Sequence, residues 1–308
     1  MRLSNDPDDR AARKRPPGWI PEGPAPRGAQ GRAGLSPRAD EVLSFLSGDW
    51  RIFQQRRGHK WSLDDFMTAA IAIEEGRARG NMQTACDLGC GIGSVLMFVA
   101  WGFPGARLTG VEAQEVSAAM ARRSLAFNGA DDRVAVRLGD LRDPAMLPEG
   151  ATFDLVTGTP PYIPLGHGTP SQKVQRGPCC FETRGGIEDY AQAAARILSP
   201  DGLFVACSGA FPADRALAAG RAAGLVCTRR VSVIGKEGKP PLFVVTVMRR
   251  ADVLSAEHAT ATTREMREMR EETFRARLAD CSLPREMHAA RALLGLPPAP
   301  SAAAQDLG

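Results

Sequence analysis

The feature that most constrains the fold of this chain is a glycine-rich run at the end of a short apolar stretch. The run is Asp87-Leu88-Gly89-Cys90-Gly91-Ile92-Gly93, and it closes a predicted strand over residues 85–88. Because glycine has no Cβ, the backbone can turn sharply there and approach a ligand closely. A helical pattern begins at about Ser94. A strand, a glycine loop and a helix in this order predict a ligand-binding unit of an open α/β sheet, and a simple tight turn is the alternative.

Apolar strands and amphipathic helices alternate through the middle of the chain. Strands are predicted over residues 51–55, 85–88, 107–112, 134–138, 153–157, 202–208, 231–234 and 242–248. Helices are predicted over residues 41–46, 64–75, from 94, 118–128, 187–198 and 213–223. The last two strands are joined only by residues 235–241, which is too short for a parallel crossover, so these strands must be antiparallel neighbours. The pattern predicts a doubly wound, mostly parallel α/β sheet of seven strands with a final antiparallel hairpin.

Acidic residues stand at the ends of three successive strands of this predicted sheet. Asp87 precedes the glycines, Glu112 ends the next strand, and Asp140 follows the third. Any one of them could be a helix cap or a surface charge. Open α/β sheets bind ligands at the carboxyl ends of their strands, and an acid one βα unit beyond the glycine loop accepts hydrogen bonds from ribose hydroxyls. The three acids therefore predict a site for a ligand that contains a nucleoside.

The fourth predicted strand of the sheet runs into a paired-proline motif, Gly158-Thr159-Pro160-Pro161-Tyr162. On its own, such a motif would indicate a stiff surface turn. In this position it resembles the methyltransferases that carry Asn-Pro-Pro-Tyr and modify planar amino or amide nitrogens. These include adenine-N6 and guanine-N2 methyltransferases of nucleic acids and the glutamine methyltransferases of release factors. Thr159 departs from that family, because it offers a hydroxyl where the family has a carboxamide.

The resemblance implies a Rossmann-like class I methyltransferase fold and S-adenosylmethionine as the cofactor. It implies that the three acids meet the cofactor's cationic amino-acid end, its ribose and its adenine in turn. The residues that we expect to bind the cofactor are Asp64, Asp87, Gly89, Cys90, Gly91, Gly93, Glu112, Asp140 and Leu141. The residues that we expect to be catalytic are Thr159, Pro160, Pro161 and Tyr162. In the family, the asparagine side chain of the motif and the backbone carbonyl of the residue after it accept hydrogen bonds from the target NH2. The aromatic ring of the motif stacks on the target.

Two further segments narrow the resemblance to subfamilies. Residues 54–64 resemble the start of the fold in bacterial tRNA(Val) adenine-N6 methyltransferases, and residues 181–186 resemble both those enzymes and the release-factor enzymes. The residues that we expect to bind substrate are Arg56, Arg57, His59, Lys60, Arg176 and Glu182. The basic ones would contact phosphates near the site, and a solvated charged edge is the alternative.

The sequence thus predicts an S-adenosylmethionine-dependent enzyme that N-methylates an exocyclic amine of an RNA base, with tRNA as the candidate RNA. Two alternatives stay open. One is a protein glutamine methyltransferase, and the other is a cofactor-binding protein that has lost catalysis through the change at Thr159.

Composition limits the remaining possibilities. The chain has 308 residues with a net charge of +4, which permits a nucleic-acid partner without requiring one. No apolar run approaches the roughly 20 residues that span a bilayer, and acids among the first ten residues argue against a signal peptide, so we expect a cytoplasmic protein. The seven cysteines have irregular spacing, which predicts reduced thiols. The four histidines lack metal-ligand spacing, and we predict no metal.

The chain divides by texture into three parts. Residues 1–40 are rich in Pro, Gly and Arg, and we expect a disordered basic tail. Residues 41–250 form the predicted methyltransferase domain. Residues 251–308 form a predicted helical extension, with helices over 262–278 and 285–294 and a low-complexity end.

Overall fold

The computed structural model describes residues 16, 18–58, 60–147, 150–163, 181–212, 214–260 and 269–298, with only the backbone for 256–260. Its strands are β1 (Glu41–Phe45), β2 (Arg51–Gln55), β3 (Thr84–Leu88), β4 (Arg107–Glu112), β5 (Val134–Leu138), β6 (Phe153–Gly158), β7 (Leu198–Gly209), β8 (Leu225–Ile234), β9 (Pro241–Arg250) and β10 (Arg270–Arg275). Its helices are α1 (Leu63–Arg79), α2 (Ser94–Gly102), α3 (Glu115–Asn128), α4 (Ile187–Ile197), α5 (Arg215–Ala222), α6 (Ala251–Thr260) and α7 (Arg285–Leu293).

The main sheet has the strand order β10-β8-β9-β7-β6-β3-β4-β5. Strands β3 to β7 pair in parallel, whereas β9 is antiparallel to both β7 and β8. The predicted doubly wound, mostly parallel sheet with an antiparallel hairpin is therefore confirmed. Because β3, β4, β5 and β6 run in the same direction, the residues that follow them meet at one edge of the sheet.

The strand count differs from the prediction, because the sheet has eight strands rather than seven within the described part of the chain. The additional strand, β10, pairs in parallel with β8 and lies where the sequence predicts a helix over 262–278. That prediction is wrong for residues 270–275, and residues 261–268 lie outside the described part of the chain. Arginine and glutamate favour helices, but here Glu272 accepts a hydrogen bond from Arg229 of β8 at 2.8 Å. Pairing with the sheet therefore overrides the local preference.

A separate hairpin, β1–β2, lies ahead of the main sheet. The helix that the sequence predicts over residues 41–46 is wrong, because this segment is the strand β1. A run of six residues is too short to hold a helix by itself, whereas antiparallel pairing with β2 satisfies its backbone groups.

The core has two parts, one on each face of the main sheet. Helices α1, α2 and α3 pack on one face, and α4 and α5 pack on the other. Strand β7 shows the alternation that this requires: Val205 and Cys207 belong to the first part, and Phe204 and Ala206 to the second. None of the described helices is long and apolar enough to cross a bilayer.

Part of the segment that we expected to be disordered contacts the domain. Gly28 N donates to Phe127 O of α3 at 2.8 Å. The guanidinium of Arg123 donates to Gly34 O at 2.7 Å and to Ser36 O at 2.8 Å, and it also holds the buried Glu41 carboxylate. The expectation of disorder is thus wrong for residues 18–40, and residues 1–15 lie outside the described part.

Candidate functional site

A cavity of about 560 Å³ lies at the carboxyl edge of β3, β4, β5 and β6. Its volume is in the range of ordinary ligand sites. The wall contains most of the site residues that the sequence predicts: Lys60, Asp64, Gly89, Cys90, Gly91, Glu112, Asp140, Leu141, Thr159, Pro160, Pro161 and Tyr162. The structure thus brings seven of the nine predicted cofactor residues and all four predicted catalytic residues to one cavity.

The glycine loop forms one wall of the cavity between β3 and α2. Gly89 and Gly91 have φ of 63° and 56°, a left-handed conformation that other residues adopt at a cost. A Cβ on Gly89 would collide with the hydroxyl of Tyr190, whereas a Cβ on Gly91 would meet no atom within 4 Å. Gly89 is therefore needed for packing and Gly91 for the turn itself. The α2 N-terminus at Ser94 faces the same cavity and favours a negative group such as a carboxylate.

Glu112 links the glycine loop to the end of β4. Its side chain is buried, and its two carboxylate oxygens accept hydrogen bonds from Gly91 N at 2.9 Å and Gln114 N at 2.7 Å. Burial raises the pKa of Glu112, and these hydrogen bonds oppose the rise. A carboxylate has about four acceptor positions. Glu112 therefore fixes the loop and retains acceptor capacity for the cavity that it lines.

Asp140 lies on the neighbouring part of the wall and is paired with Arg142. The guanidinium donates to both carboxylate oxygens, at 2.9 and 2.6 Å, and this pairing lowers the pKa of Asp140. Arg184, from the segment before α4, lines the same cavity. Its charge contributes to the lowered pKa of Asp140 and opposes the rise in the pKa of Glu112. The sequence prediction did not assign Arg184 a role, although it lies in the 181–186 run that carries the resemblance.

Two predicted cofactor residues lie behind the wall rather than in it. Asp87 is buried, and its Oδ1 accepts a hydrogen bond from the Thr157 hydroxyl at 2.7 Å. Burial is the main cause that raises the pKa of Asp87 to about 7. A Cβ on Gly93 would lie 3.1 Å from that of Ala121, so Gly93 serves the packing of the loop on α3. These two residues do not line the cavity, because neighbouring side chains occupy their surroundings.

The sequence prediction missed Asp65, which lines the cavity and is only 6% exposed. One of its oxygens accepts a hydrogen bond from Ser62 N at 3.0 Å, which caps α1. Burial first, and then the charge of Asp64, raise the pKa of Asp65 to about 8. The spacing of Ser62 and Asp65 is that of a capping box, which marks the start of a helix but does not indicate that the acid faces a cavity.

The paired-proline motif forms another part of the cavity wall. Tyr162 is held at its hydroxyl, which donates to Asp64 Oδ2 at 3.1 Å and lies 2.6 Å from Cys207 Sγ. Burial is the main cause that raises the pKa of Tyr162, so the phenol stays protonated. The motif is thereby fixed from α1 on one side and from β7 on the other.

The predicted substrate residues have mixed outcomes. Lys60 lines the cavity, whereas Arg56 and Arg57 are exposed outside its wall, where Arg56 Nε donates to Ala39 O at 3.2 Å. Glu182 does not line the cavity, because Arg215 holds its carboxylate with two hydrogen bonds of 2.6 and 2.9 Å. It anchors the segment before α4. His59 and Arg176 lie outside the described residues.

Burial also decides the state of the thiols near the cavity. It raises the pKa of Cys90 and Cys207 well above that of a free thiol, so both are neutral. A neutral buried thiol is a poor nucleophile. Within the described ranges, no group of three or more His, Cys, Asp or Glu side chains is placed to hold a metal ion.

Comparison with known proteins shows which of them this chain resembles. The tRNA1(Val) (adenine(37)-N6)-methyltransferase of Porphyromonas gingivalis is 29% identical over 165 residues, which are 53% of this chain and 62% of that protein. The 4-amino-L-phenylalanine/4-methylamino-L-phenylalanine methyltransferase of Streptomyces pristinaespiralis is 34% identical over 145 residues, 45% of this chain and 48% of that protein.

A third relative is the release factor glutamine methyltransferase of Caulobacter vibrioides, which is 30% identical over 165 residues, 51% of this chain and 56% of that protein. The chain thus spans about half to three fifths of the length of these curated relatives. Residues 85–165 match a family model described as a methyltransferase domain. That matched segment contains the glycine loop, Glu112, Asp140 and the paired-proline motif.

Proposed function

We propose that the chain is an S-adenosylmethionine-dependent methyltransferase that modifies an exocyclic NH2 of an RNA base, of the tRNA adenine-N6 type. One observation carries this proposal. The glycine loop, Glu112 and Asp140 share a single cavity of about 560 Å³ with Thr159, Pro160 and Tyr162. A donor site and an acceptor site in one cavity are what group transfer between two bound molecules requires.

The donor side of the cavity fits an adenosyl cofactor. Glu112 has acceptor capacity for ribose hydroxyls, and the ionised Asp140 can accept a hydrogen bond from an adenine amino group. Leu141 adds a buried apolar surface beside them. Bound there, the cofactor would supply a methyl group on a sulfonium, which needs little acid–base assistance for its transfer.

The acceptor side fits an NH2 group on a planar carbon. Thr159 and Pro160 line the wall. Hydrogen bonds from the NH2 to the Thr159 hydroxyl and the Pro160 carbonyl would hold it and favour a more nucleophilic nitrogen. The names of the three relatives support this class, because adenine N6, the 4-amino group of aminophenylalanine and the glutamine amide are all NH2 groups on sp² carbon. Formation of the new N–C bond would be matched by cleavage of the sulfonium S–CH3 bond, and the nitrogen would release one of its two protons to solvent.

Charge near the cavity supports RNA within this class. Lys60 lies in the wall, and Arg56 and Arg57 are exposed on the segment that precedes it. Such cations would contact backbone phosphates. A base inside a duplex cannot reach an enclosed cavity, so the target base should be unpaired or flipped.

A protein glutamine acceptor is the second candidate. It is supported by the 30% identity to the release factor glutamine methyltransferase and by the position of Arg184 and Gly185 in the cavity wall. The third candidate is a protein that binds the cofactor but has lost catalysis. It applies if the Thr159 hydroxyl cannot do the work of the carboxamide in the related motif.

One experiment separates these candidates. Purified protein with tritiated S-adenosylmethionine is incubated with total RNA, DNA and protein pools and with 4-aminophenylalanine, side by side. We expect label in RNA, and we expect Thr159→Asn, which restores the family residue, to keep or raise it. Label only in protein would favour the glutamine acceptor, and label only in the amino acid would replace RNA by a small aromatic amine. If neither wild type nor Thr159→Asn labels anything while both bind the cofactor, the chain is not a catalyst.

A further inference from the structure

The buried carboxyl of Asp65 has no part in the function proposed above, yet it lies in the cavity wall with only 6% of its surface exposed. A carboxylate that is taken out of water must either bind a proton or pair with a cation. The residues around Asp65 determine which of these happens when the cavity is filled.

The acids around Asp65 disfavour its charge. Burial is the main cause that raises the pKa of Asp65, and the charges of Asp64, on the same helix, and Asp87, at the end of β3, add to it, to about 8. Cys207 of β7 faces the same region, and its thiol is neutral because burial raises its pKa. Ser62 N and the Ser94 side chain donate hydrogen bonds that only partly offset these effects. Around neutral pH the carboxyl is therefore mainly protonated in the free protein.

The position of Asp65 indicates which part of a ligand it meets. Its hydrogen-bond partner Ser94 begins α2 directly after the glycine loop, and both line the cavity. Asp87, which the sequence predicts in this role, is buried behind the loop and bonded to Thr157. The ribose and adenine acceptors, Glu112 and Asp140, belong to the ends of β4 and β5 instead.

We infer that Asp65 is the counter-ion of the cofactor's ammonium group and that it exchanges its proton for that group when the cofactor binds. This inference rests on the proposed function, because it assumes an adenosyl amino-acid ligand. In chemical terms, the Asp65 O–H bond breaks, its proton leaves to solvent, and the carboxylate accepts a hydrogen bond from the ammonium. No electrons are transferred, and no other reactant is required.

The consequence is a dependence of cofactor affinity on pH with a defined sign. Below the pKa of free Asp65, binding must expel a proton, so affinity rises with pH by up to about tenfold per pH unit. The ammonium itself stays charged up to about pH 8. The rise should therefore be seen between about pH 5.5 and pH 7, where both conditions hold.

The test is calorimetric titration of the wild-type protein with two ligands across this range. S-adenosylhomocysteine has the ammonium, whereas 5′-methylthioadenosine retains the nucleoside thioether without the amino acid. We expect about tenfold tighter binding per pH unit for the first ligand and a nearly flat profile for the second. Titration of Glu112 or Asp140 would affect both ligands equally. Titrations in two buffers of different ionisation enthalpy should also show release of about one proton at pH 7 for the first ligand alone.

Two variants complete the test. Asp65→Asn retains an oxygen that can accept from Ser62 N, and it should abolish both the pH dependence and the proton release. Asp64→Asn is the matched control, which should keep the dependence and move it to lower pH, because it removes a charge that raises the pKa of Asp65.

The outcomes separate this inference from the function on which it rests. A flat profile for S-adenosylhomocysteine in the wild type, the same profile for both ligands, or an unchanged profile in Asp65→Asn would overturn the role of Asp65 alone. The wild-type comparison decides the matter even if a variant does not fold. Failure of both ligands to bind would overturn the proposed function together with this inference.

Discussion

Glu112→Ala is the substitution that tests the donor side most directly. It removes the acceptor for Gly91 N and for Gln114 N, whose hydrogen bonds of 2.9 and 2.7 Å hold the glycine loop against β4. It also removes the acceptor capacity for ribose hydroxyls. A hydrogen bond to a charged group contributes about 1.5–3 kcal/mol. Loss of one or two such bonds to the ligand should weaken cofactor binding on the order of 10–10⁴-fold.

The assay for Glu112 must separate direct contact with ribose from support of the loop. Calorimetry with S-adenosylhomocysteine and with its 2′-deoxy analogue gives four affinities for wild type and Glu112→Ala. If Glu112 binds the ribose, the wild type should lose about tenfold or more with the deoxy ligand, and the variant should lose little further. Glu115→Ala is the matched control, because Glu115 is an exposed acid at the start of α3 outside the cavity wall.

Two results would refute this reasoning about Glu112. Equal affinity of wild type and Glu112→Ala would exclude both roles. A penalty for the deoxy ligand that is the same in both proteins would show that Glu112 acts only by holding the loop.

Three further predictions concern the tail, Asp87 and Tyr162. Removal of residues 1–17 should leave the free energy of unfolding nearly unchanged, whereas removal of residues 1–38 should lower it by on the order of 2–5 kcal/mol. The larger deletion removes the buried Leu35 and two carbonyl partners of Arg123. Urea denaturation measures both free energies, and equal losses would contradict the packing of this segment. Because the pKa of Asp87 is raised to about 7, its protonated carboxyl stabilises the folded protein fully below about pH 4, and this stabilisation is lost as pH rises through 7. The free energy of unfolding of the wild type should therefore fall by up to about 1.4 kcal/mol per pH unit between pH 5 and 7 relative to that of Asp87→Asn. Parallel stability profiles of the two proteins would exclude this. Tyr162→Phe should keep the KM for the acceptor within about threefold of the wild-type value, and Tyr162→Ala should raise it roughly tenfold through loss of stacking. A KM that is raised equally in both variants would place the role in the hydroxyl instead.

The parts of the fold that the sequence predicts correctly are those whose signal is local. Buried parallel strands such as β3 and β4 are short apolar runs, and a glycine loop that must turn at positive φ leaves its mark in the residues themselves. The two helices that are wrongly predicted, at β1 and β10, concern short segments outside the central strands, and the strands that pair with them are β2 and β8. The local sequence of either segment does not indicate that a partner strand is present.

The same distinction explains the outcome for the site. The strand-end acids could be found from their spacing, but which of them faces the cavity depends on distant partners. Thr157 is 70 residues from Asp87 and donates a hydrogen bond to its carboxyl behind the cavity wall, and Arg215 is 33 residues from Glu182 and holds that carboxylate outside the wall. The N-terminal segment has the composition of a disordered chain, but hydrogen bonds that Arg123 donates to the carbonyls of Gly34 and Ser36 hold it in place.

The position of the paired-proline motif bears on what Thr159 can change. The backbone after Thr159 is fixed by two prolines and by the Tyr162 hydroxyl, which is held by Asp64 of α1 and lies beside Cys207 of β7. None of these contacts uses the side chain of residue 159. The Pro160 carbonyl, which we propose as the backbone acceptor for the target NH2, is therefore positioned independently of the departure from asparagine. A threonine hydroxyl can still accept a hydrogen bond from the same NH2. The departure from asparagine therefore gives a shorter side-chain acceptor at position 159 and leaves the Pro160 carbonyl unchanged.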